Sequence, residues 1–442
     1  SPMNRFSRER QIETLTSYFR SHETPGQEHL IGVELEHFLV DADTRETRDY
    51  YSPGGGRWLL ETLAREHGWE PYYEGEEILG LSKNGAAVTL EPGGQIEFST
   101  AARRTLAEVH REYDSFLKEV VPVVDEVNGR LSCLGYQPKT PVDRIRMIPR
   151  KKYRLMADYF ASRGRYAHNM MKGTAATQVT LDYTDETDFR EMMQAAYLVS
   201  PALSLLFDNT YSFEGRRYSG HSLRTDIWEN CDGSRCGIIP GVLSPDFGYA
   251  EYASYILDIE PIVLYRNGVI EATGDAAFAS LFDPEAPWID IDQVLVMVFP
   301  EIRLKKFLEF RSVDSQPYRH LGSFLYALTR ILSDPGIRGA VLDHCRSVNE
   351  AALLECRRAS VRLGFETPFA GTSLRVFTAF LIDILERTAV NGSRFCVRGL
   401  EKIFDRKLEG PPFTGEEILE RSLITPQMLS HSSICSAQAE YV

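Results

Sequence analysis

Ile31–Val40, IGVELEHFLV, is the stretch whose reading decides the fold. Apolar residues and carboxylates alternate along it, the pattern of a strand whose two faces meet different surroundings. Residues two apart on a strand share a face, so Glu34 and Glu36 point one way and Val33 and Leu35 the other. Val88–Ser99 (VTLEPGGQIEFS) repeats the theme, with Glu91, Gln95 and Glu97 on either side of a Pro92-Gly93-Gly94 turn. Leu308–Arg311 adds Glu309 and Arg311, again two apart. Carboxylates aligned on apolar strands repel one another and lose solvation unless something compensates. Hard divalent cations take oxygen ligands, and Mg²⁺ with nucleotide phosphates is the usual case. The expectation is a Mg–ATP site on the floor of a β-sheet. Solvated outer faces of half-exposed strands would explain one Glu-x-Glu pair, but three such segments in one chain favour a site.

Composition sets the class around this core. The 442 residues are 43% hydrophobic and 25% charged, ordinary for a globular chain. The formal net charge of -14 argues against nucleic acid and anionic membrane surfaces as partners. No apolar run reaches the length of a bilayer span, and the start carries no secretory pattern. Ser1-Pro2 before Met3 reads as a tag-cleavage scar. Seven cysteines, at 133, 231, 236, 345, 356, 396 and 435, are thinly spread and odd in number. Reduced thiols and a cytoplasmic protein are the expectation. Cys231 and Cys236, five apart in ENCDGSRCG, lack the second pair that a zinc site wants.

The remaining pattern is mixed. Arg5–Arg20, Thr105–Val127 and a basic Pro149–Ala161 read as helices, and Glu77–Ser99 as three short strands with an Asn84-Gly85 turn. Ala176–Tyr183 alternates as a strand, with Gln178, Thr180 and Asp182 on one face. Glu186–Asn209 reads as a helix interrupted near Pro201, and Val294–Phe299 as a strand. The reading gives one domain: a core over about 28–325, helices over about 326–408, and a loosely packed tail over 409–442. Strands near the start, middle and two-thirds point must meet to gather the carboxylates, which argues for one cooperative α+β unit.

Familiar nucleotide motifs are absent. The sequence has no P-loop, no Gly-x-Gly-x-x-Gly between strand and helix, and no Gly-x-Ser-x-Gly elbow. Gly54–Gly56 before a helix reads either as a flexible loop or as a lid. Carboxylates for metals, together with Arg224, Arg235, Arg303 and Arg311 for anions, suit phosphoryl transfer to an acid.

Several stretches resemble the plant-type glutamate–cysteine ligase family and its carboxylate–amine ligase relatives. They are Ile31–Phe38, Thr89–Ser99, Ala175–Tyr183, Ser200–Gly237 with its Ser222-Leu223-Arg224 and Ile227-Trp228 steps, Tyr252–Arg266, and Phe299–Arg311 (FPEIRLKKFLEFR). The resemblance implies a glutamine-synthetase-like α+β fold, a curved, mainly antiparallel sheet forming an acidic cleft flanked by helices. It implies Glu34, Glu36, Glu91, Glu97 and Glu309 as Mg²⁺ ligands, with Mn²⁺ able to substitute. Arg224 and Arg311 would hold phosphate or the glutamate carboxylate, and Gln178 and Arg235 would lie on the ATP side. The implied reaction joins the γ-carboxylate of glutamate to the amine of cysteine through an acyl phosphate. The partners are then small molecules. Ser312–Tyr318 (SVDSQPY) departs from the Gly-Gly step usual in plant relatives, so another amine acceptor stands as the alternative. A non-catalytic binding homologue is the least favoured reading.

Overall fold

A computed structural model describes residues 5–286, 291–390, 392–410 and 415–429. Its organising element is a ten-stranded sheet. The strands are β1 (Ile31–Asp41), β2 (Glu70–Glu74), β3 (Glu77–Lys83), β4 (Ala86–Leu90), β5 (Ile96–Ser99), β6 (Gly129–Ser132), β7 (Thr177–Leu181), β8 (Ile302–Leu304), β9 (Leu308–Phe310) and β10 (Leu423–Ile424). The main path runs β8-β9-β7-β1-β5-β4-β3-β2, and β6 and β10 extend it from β1. Every pairing within it is antiparallel. β1 is central because its first half pairs with β5 and β7 while its second half pairs with β6.

The two faces of the sheet differ as the alternation requires. Val33, Leu35, Val88 and Phe98 point into the core. Helix Leu106–Glu126 covers that side with Val109, Tyr113, Phe116, Leu117 and Val120, all buried. Phe98 and Phe116 stack with ring centroids 4.4 Å apart. Thr105 opens this helix by accepting the Glu108 N–H. Burial of one such aromatic or aliphatic side chain stabilises the fold by about 1.5–3 kcal/mol. The other face carries the polar residues, and cross-strand register sets them in rows. Thr89, Glu97 and Glu36 lie opposite one another in one row, and Ser99, Glu34 and Gln178 in the next. Thr180, Glu309 and Arg303 form a third.

Three expected elements differ. Residues 291–295 form a short helix, Ile291–Leu295, and of the expected 294–299 strand only Phe299 pairs, as part of Phe299–Pro300 in parallel with Cys236–Gly237. A short apolar run fits a buried helix turn as well as a strand, so its pattern does not distinguish them. Helix Glu186–Leu206 runs unbroken through Pro201, with every residue from Ala195 to Leu206 buried; tertiary packing outweighs the lost N–H. Residues 415–424, placed by the sequence reading in a loose tail, form helix Gly415–Ser422 and β10. Leu419 and Leu423 pack there with Phe38, Val40, Leu134 and Ala175. Among the described residues no helix is long and apolar enough to cross a membrane.

Candidate active site

Three glutamates converge where β1, β4 and β5 meet. Glu36 and Glu97 are cross-strand partners, and Glu91 follows the last residue of β4. One carboxylate oxygen from each of Glu36, Glu91 and Glu97 lies within 4.8 Å of the others. The turn after β4 makes this convergence. Gly94, at φ 83°, donates its N–H to the Glu91 carbonyl at 2.8 Å, and the Glu91 N–H donates to the Gln95 carbonyl at 3.0 Å. Gln95 was read with the carboxylates, but its side chain holds the turn instead. It accepts from the Gly93 N–H and donates to the Thr174 carbonyl, each at 2.9 Å, and to that of Met171 at 3.2 Å. Burial, then repulsion from Glu91, pushes Glu36 well above the usual carboxylate range; burial, then Glu34 and Glu91, does the same to Glu97. Glu34, one row away, is raised to about 7 by burial and by Glu309. A buried Glu36 crowded by half-buried Glu91 and Glu97 is the chemistry a hard divalent cation fits.

Glu309 occupies a different setting. It is fully buried and surrounded by cations: Arg303 at 2.7 Å, Lys305 at 3.0 Å and Arg311 at 3.2 Å. Burial alone would raise its pKa, but Arg303, Lys305 and Arg311 outweigh burial and hold it down at about 2. It therefore stands apart from the Glu36–Glu91–Glu97 group with which it was expected to bind metal. Arg311, two residues on, also lines an adjoining pocket. Arg224, Trp228, Phe299, Glu301, Arg311 and Ser312 line that pocket. Both guanidinium groups lie over the Trp228 ring, at 5.7 Å for Arg224 and 5.4 Å for Arg311. Arg224 donates through Nε and Nη2 to the Arg311 carbonyl, at 3.1 and 2.9 Å. Arg311 Nη1 donates to the Pro300 carbonyl at 2.5 Å. Gln178 sits between the two regions, on β7 directly opposite Glu34.

Arg235 does not join them. It is fully buried and donates to Asp232 at 3.0 Å, to the Met297 carbonyl at 2.8 Å and to the Tyr159 hydroxyl at 2.7 Å. Each of its nitrogens has a partner in the protein, so the guanidinium that was expected on the ATP side spends its donors internally. The 312–318 segment is equally committed. The Ser312 and Ser200 hydroxyls lie 2.7 Å apart, Asp314 accepts from the Asn209 N–H at 2.8 Å, and Ser315 donates to the Glu36 carbonyl at 2.7 Å. Tyr318 packs in the core with its hydroxyl on Asp114. Gly54–Gly56 form a tight turn, since a Cβ at Gly55 would lie 2.0 Å from the Asp49 carbonyl oxygen. The six described cysteines are free and buried; Cys435 lies outside the described residues.

Sequence reasoning missed the cations that face the acids. Lys305 is one, legible only as the first of two lysines in FPEIRLKKFLEFR. Lys152 is another, on helix Lys151–Phe160. Burial, then Arg150, pulls Lys152 down to about 8, with Glu91 opposing. The basic character of that helix was the available signal; its aim across the sheet was not.

An acidic cluster beside a two-arginine pocket, on one face of an antiparallel sheet, is a site that can hold a cation and an anionic substrate side by side. The chain belongs to glutamate-cysteine ligase family 2, whose model matches residues 30–376. It is similar to the chloroplastic glutamate–cysteine ligases of Brassica juncea and Arabidopsis thaliana, at 31% identity over 366 residues in each case. The alignments cover 81% of this chain and 70% and 69% of those proteins. The fold is similar to that of the Francisella tularensis glutamate–cysteine ligase solved in complex with AMP. The TM-score is 0.54 and the identity 10%, over 93% of this chain and 92% of that one. The expected α+β architecture, built on a mainly antiparallel sheet, therefore stands. The cytoplasmic expectation does not, because the curated relatives are chloroplastic. Free thiols report reducing surroundings and do not say which compartment supplies them.

Proposed function

We propose that this chain uses ATP to join the γ-carboxylate of L-glutamate to the amine of L-cysteine, giving γ-glutamylcysteine. The observation that carries this reading is the three-carboxylate cluster of Glu36, Glu91 and Glu97 beside the Arg224–Arg311 pocket on one sheet face. Mg²⁺ held by those three carboxylates, with Glu34 beside them, would neutralise phosphate charge and hold the γ-phosphate in line. The chain itself supplies position and charge. Arg224 and Arg311 pair with an anionic group of the amino acid or of the transferring phosphate. Lys305, Arg303 and Lys152 add positive charge where negative charge develops. Glu309 fixes Arg303, Lys305 and Arg311 in place, and we read it as their counter-ion rather than as a metal ligand.

A glutamate carboxylate oxygen attacks the γ-phosphorus and ADP leaves. The free amine then attacks the acyl carbon, phosphate leaves, and the amine loses a proton. No protein nucleophile is required. The test is ADP release with ATP, Mg²⁺ and glutamate, with and without cysteine, and product mass. Cysteine-dependent ADP with the γ-glutamylcysteine mass supports the reading. ADP that depends on another amine instead would move the acceptor, and glutamate binding without ADP under any acceptor would make the chain a binding homologue.

A further inference from the structure

The two arginines of the pocket come from separate segments, and a third arginine, outside the pocket, joins those segments. Arg357 lies on helix Glu350–Leu363, in the helical C-terminal part, with 1% of its surface exposed. Its Nε donates to Glu301 Oε1 at 2.7 Å and its Nη1 pairs with Glu229. Glu229 is the last residue of helix Leu223–Glu229, which carries Arg224 and Trp228. Glu301 precedes β8 and controls Arg311 through the backbone: its carbonyl accepts the Arg311 N–H at 2.9 Å. Glu301 also accepts from the Ser200 hydroxyl at 2.8 Å, and its own N–H donates to the Gly237 carbonyl at 3.1 Å. Gly237 leaves the room for this bridge. A Cβ there would lie 3.2 Å from Arg357 Nη1, and its φ of +86° suits glycine.

We propose that Arg357 is a positioning residue for the amino-acid pocket: by clamping Glu229 and Glu301 it sets the spacing of Arg224 and Arg311 across Trp228. That the pocket takes the glutamate rather than the transferring phosphate is part of this proposal, and it rests on the function proposed above. The chemistry favours arginine over lysine here. A planar guanidinium offers two directed donors to two carboxylates at once, whereas an ammonium acts as a point charge. Loss of the bridge leaves two largely buried carboxylates, with side-chain exposures of 16% and 11%, without their shared cation. Repulsion then acts between the segments that hold the two pocket arginines. Arg357 touches neither the acidic cluster nor its cations by any ion pair or hydrogen bond given for the described residues, so the effect belongs to the amino-acid side.

The test compares R357K, and E229Q/R357M as a variant that does not strand two carboxylates, with the parent chain at a temperature well below melting. Glutamate is varied at saturating Mg–ATP, and Mg–ATP at saturating glutamate. The expected result is a KM for glutamate raised about 10- to 100-fold, the cost of misplacing binding groups by about an ångström, with the KM for Mg–ATP within about twofold. A glutamate KM within about twofold of the parent in both variants overturns the proposal. A parallel rise in both KM values also does, because it reports general disruption. A parent that makes no γ-glutamylcysteine defeats the proposed function instead. The positioning role is then read from L-glutamate titration of tryptophan fluorescence: weaker glutamate binding in both variants than in the parent supports it, and no difference overturns it.

Discussion

Glu91 and Glu309 look interchangeable in sequence, each an acid on an apolar strand, but their surroundings give them opposite energetics. Glu91 raises the pKa of Glu36 and Glu97 by repulsion. Glu91→Gln should therefore raise the melting temperature of the metal-free protein while lowering turnover by about 100-fold or more, since a cation ligand is lost. Glu309 balances three cations at a fully buried position. Glu309→Gln should lower both stability, by about 3–5 kcal/mol, and turnover. Melting by calorimetry in EDTA, beside ADP release, separates the two cases. A metal-free Glu91→Gln no more stable than the parent would count against the crowding argument. At this scale the sequence showed which glutamates share a face, because strand alternation is strict. It could not show that Arg235 spends its donors inside the protein, or that Lys152 faces Glu91. Those facts depend on which distant segment supplies the partner: Met297 and Tyr159 for Arg235, and Glu91 for Lys152.

The turn between β4 and β5 is the element on which the cluster depends. Gly93 is pressed against the chain at Lys172. A Cβ there would lie 2.5 Å from the Lys172 carbonyl oxygen and 2.9 Å from its Cα. Neither is a flexible side-chain end, so Gly93→Ala must shift backbone. The expected cost is about 1–3 kcal/mol by urea denaturation, with turnover falling further than the stability loss explains because Glu91 and Glu97 separate. Equal activity in folded Gly93→Ala would show that the cluster tolerates a looser turn. The signature Thr89–Ser99 was legible as two strands and a turn, and Asn84-Gly85 marked the preceding hairpin; both hold, with Asn84 at φ 52° and Gly85 at φ 83°. Local chemistry dictated those turns. Where the deciding force was packing, as in the unbroken helix at Pro201 or the short helix Ile291–Leu295, the local signals of proline and apolar run misled.

For the whole molecule, one sheet face must tolerate several buried carboxylates, and metal-free stability should record that burden. Burial and Glu309 raise Glu34 to about 7 in the fold, and burial with neighbouring acids raises Glu36 and Glu97 well above the usual carboxylate range. Their unfolded values lie near 4.3. A group whose folded pKa is raised contributes stability that is complete below the unfolded value and lost as pH rises through the folded one. Metal-free protein should therefore lose stability from about pH 5 upward, by about 1.4 kcal/mol per pH unit for each proton that the folded state holds in excess. Buried His37, lowered to about 4 by desolvation, works in the opposite sense, but only below about 6.5 where the unfolded ring is charged. Between about pH 6.5 and 7.5 the slope is therefore that of raised carboxylates: Asp314, raised to about 7 by burial, adds a part that Mg²⁺ does not remove, and Lys152, lowered to about 8, opposes the slope only above this window. Added Mg²⁺ should flatten the slope there, because a bound cation favours the ionised acids and stabilises only the folded state. Unfolding free energy measured across that window, in EDTA and in excess Mg²⁺, checks both signs. A flat metal-free profile would mean that solvent already relieves the cluster, and a slope unchanged by Mg²⁺ would move the cation away from Glu36, Glu91 and Glu97.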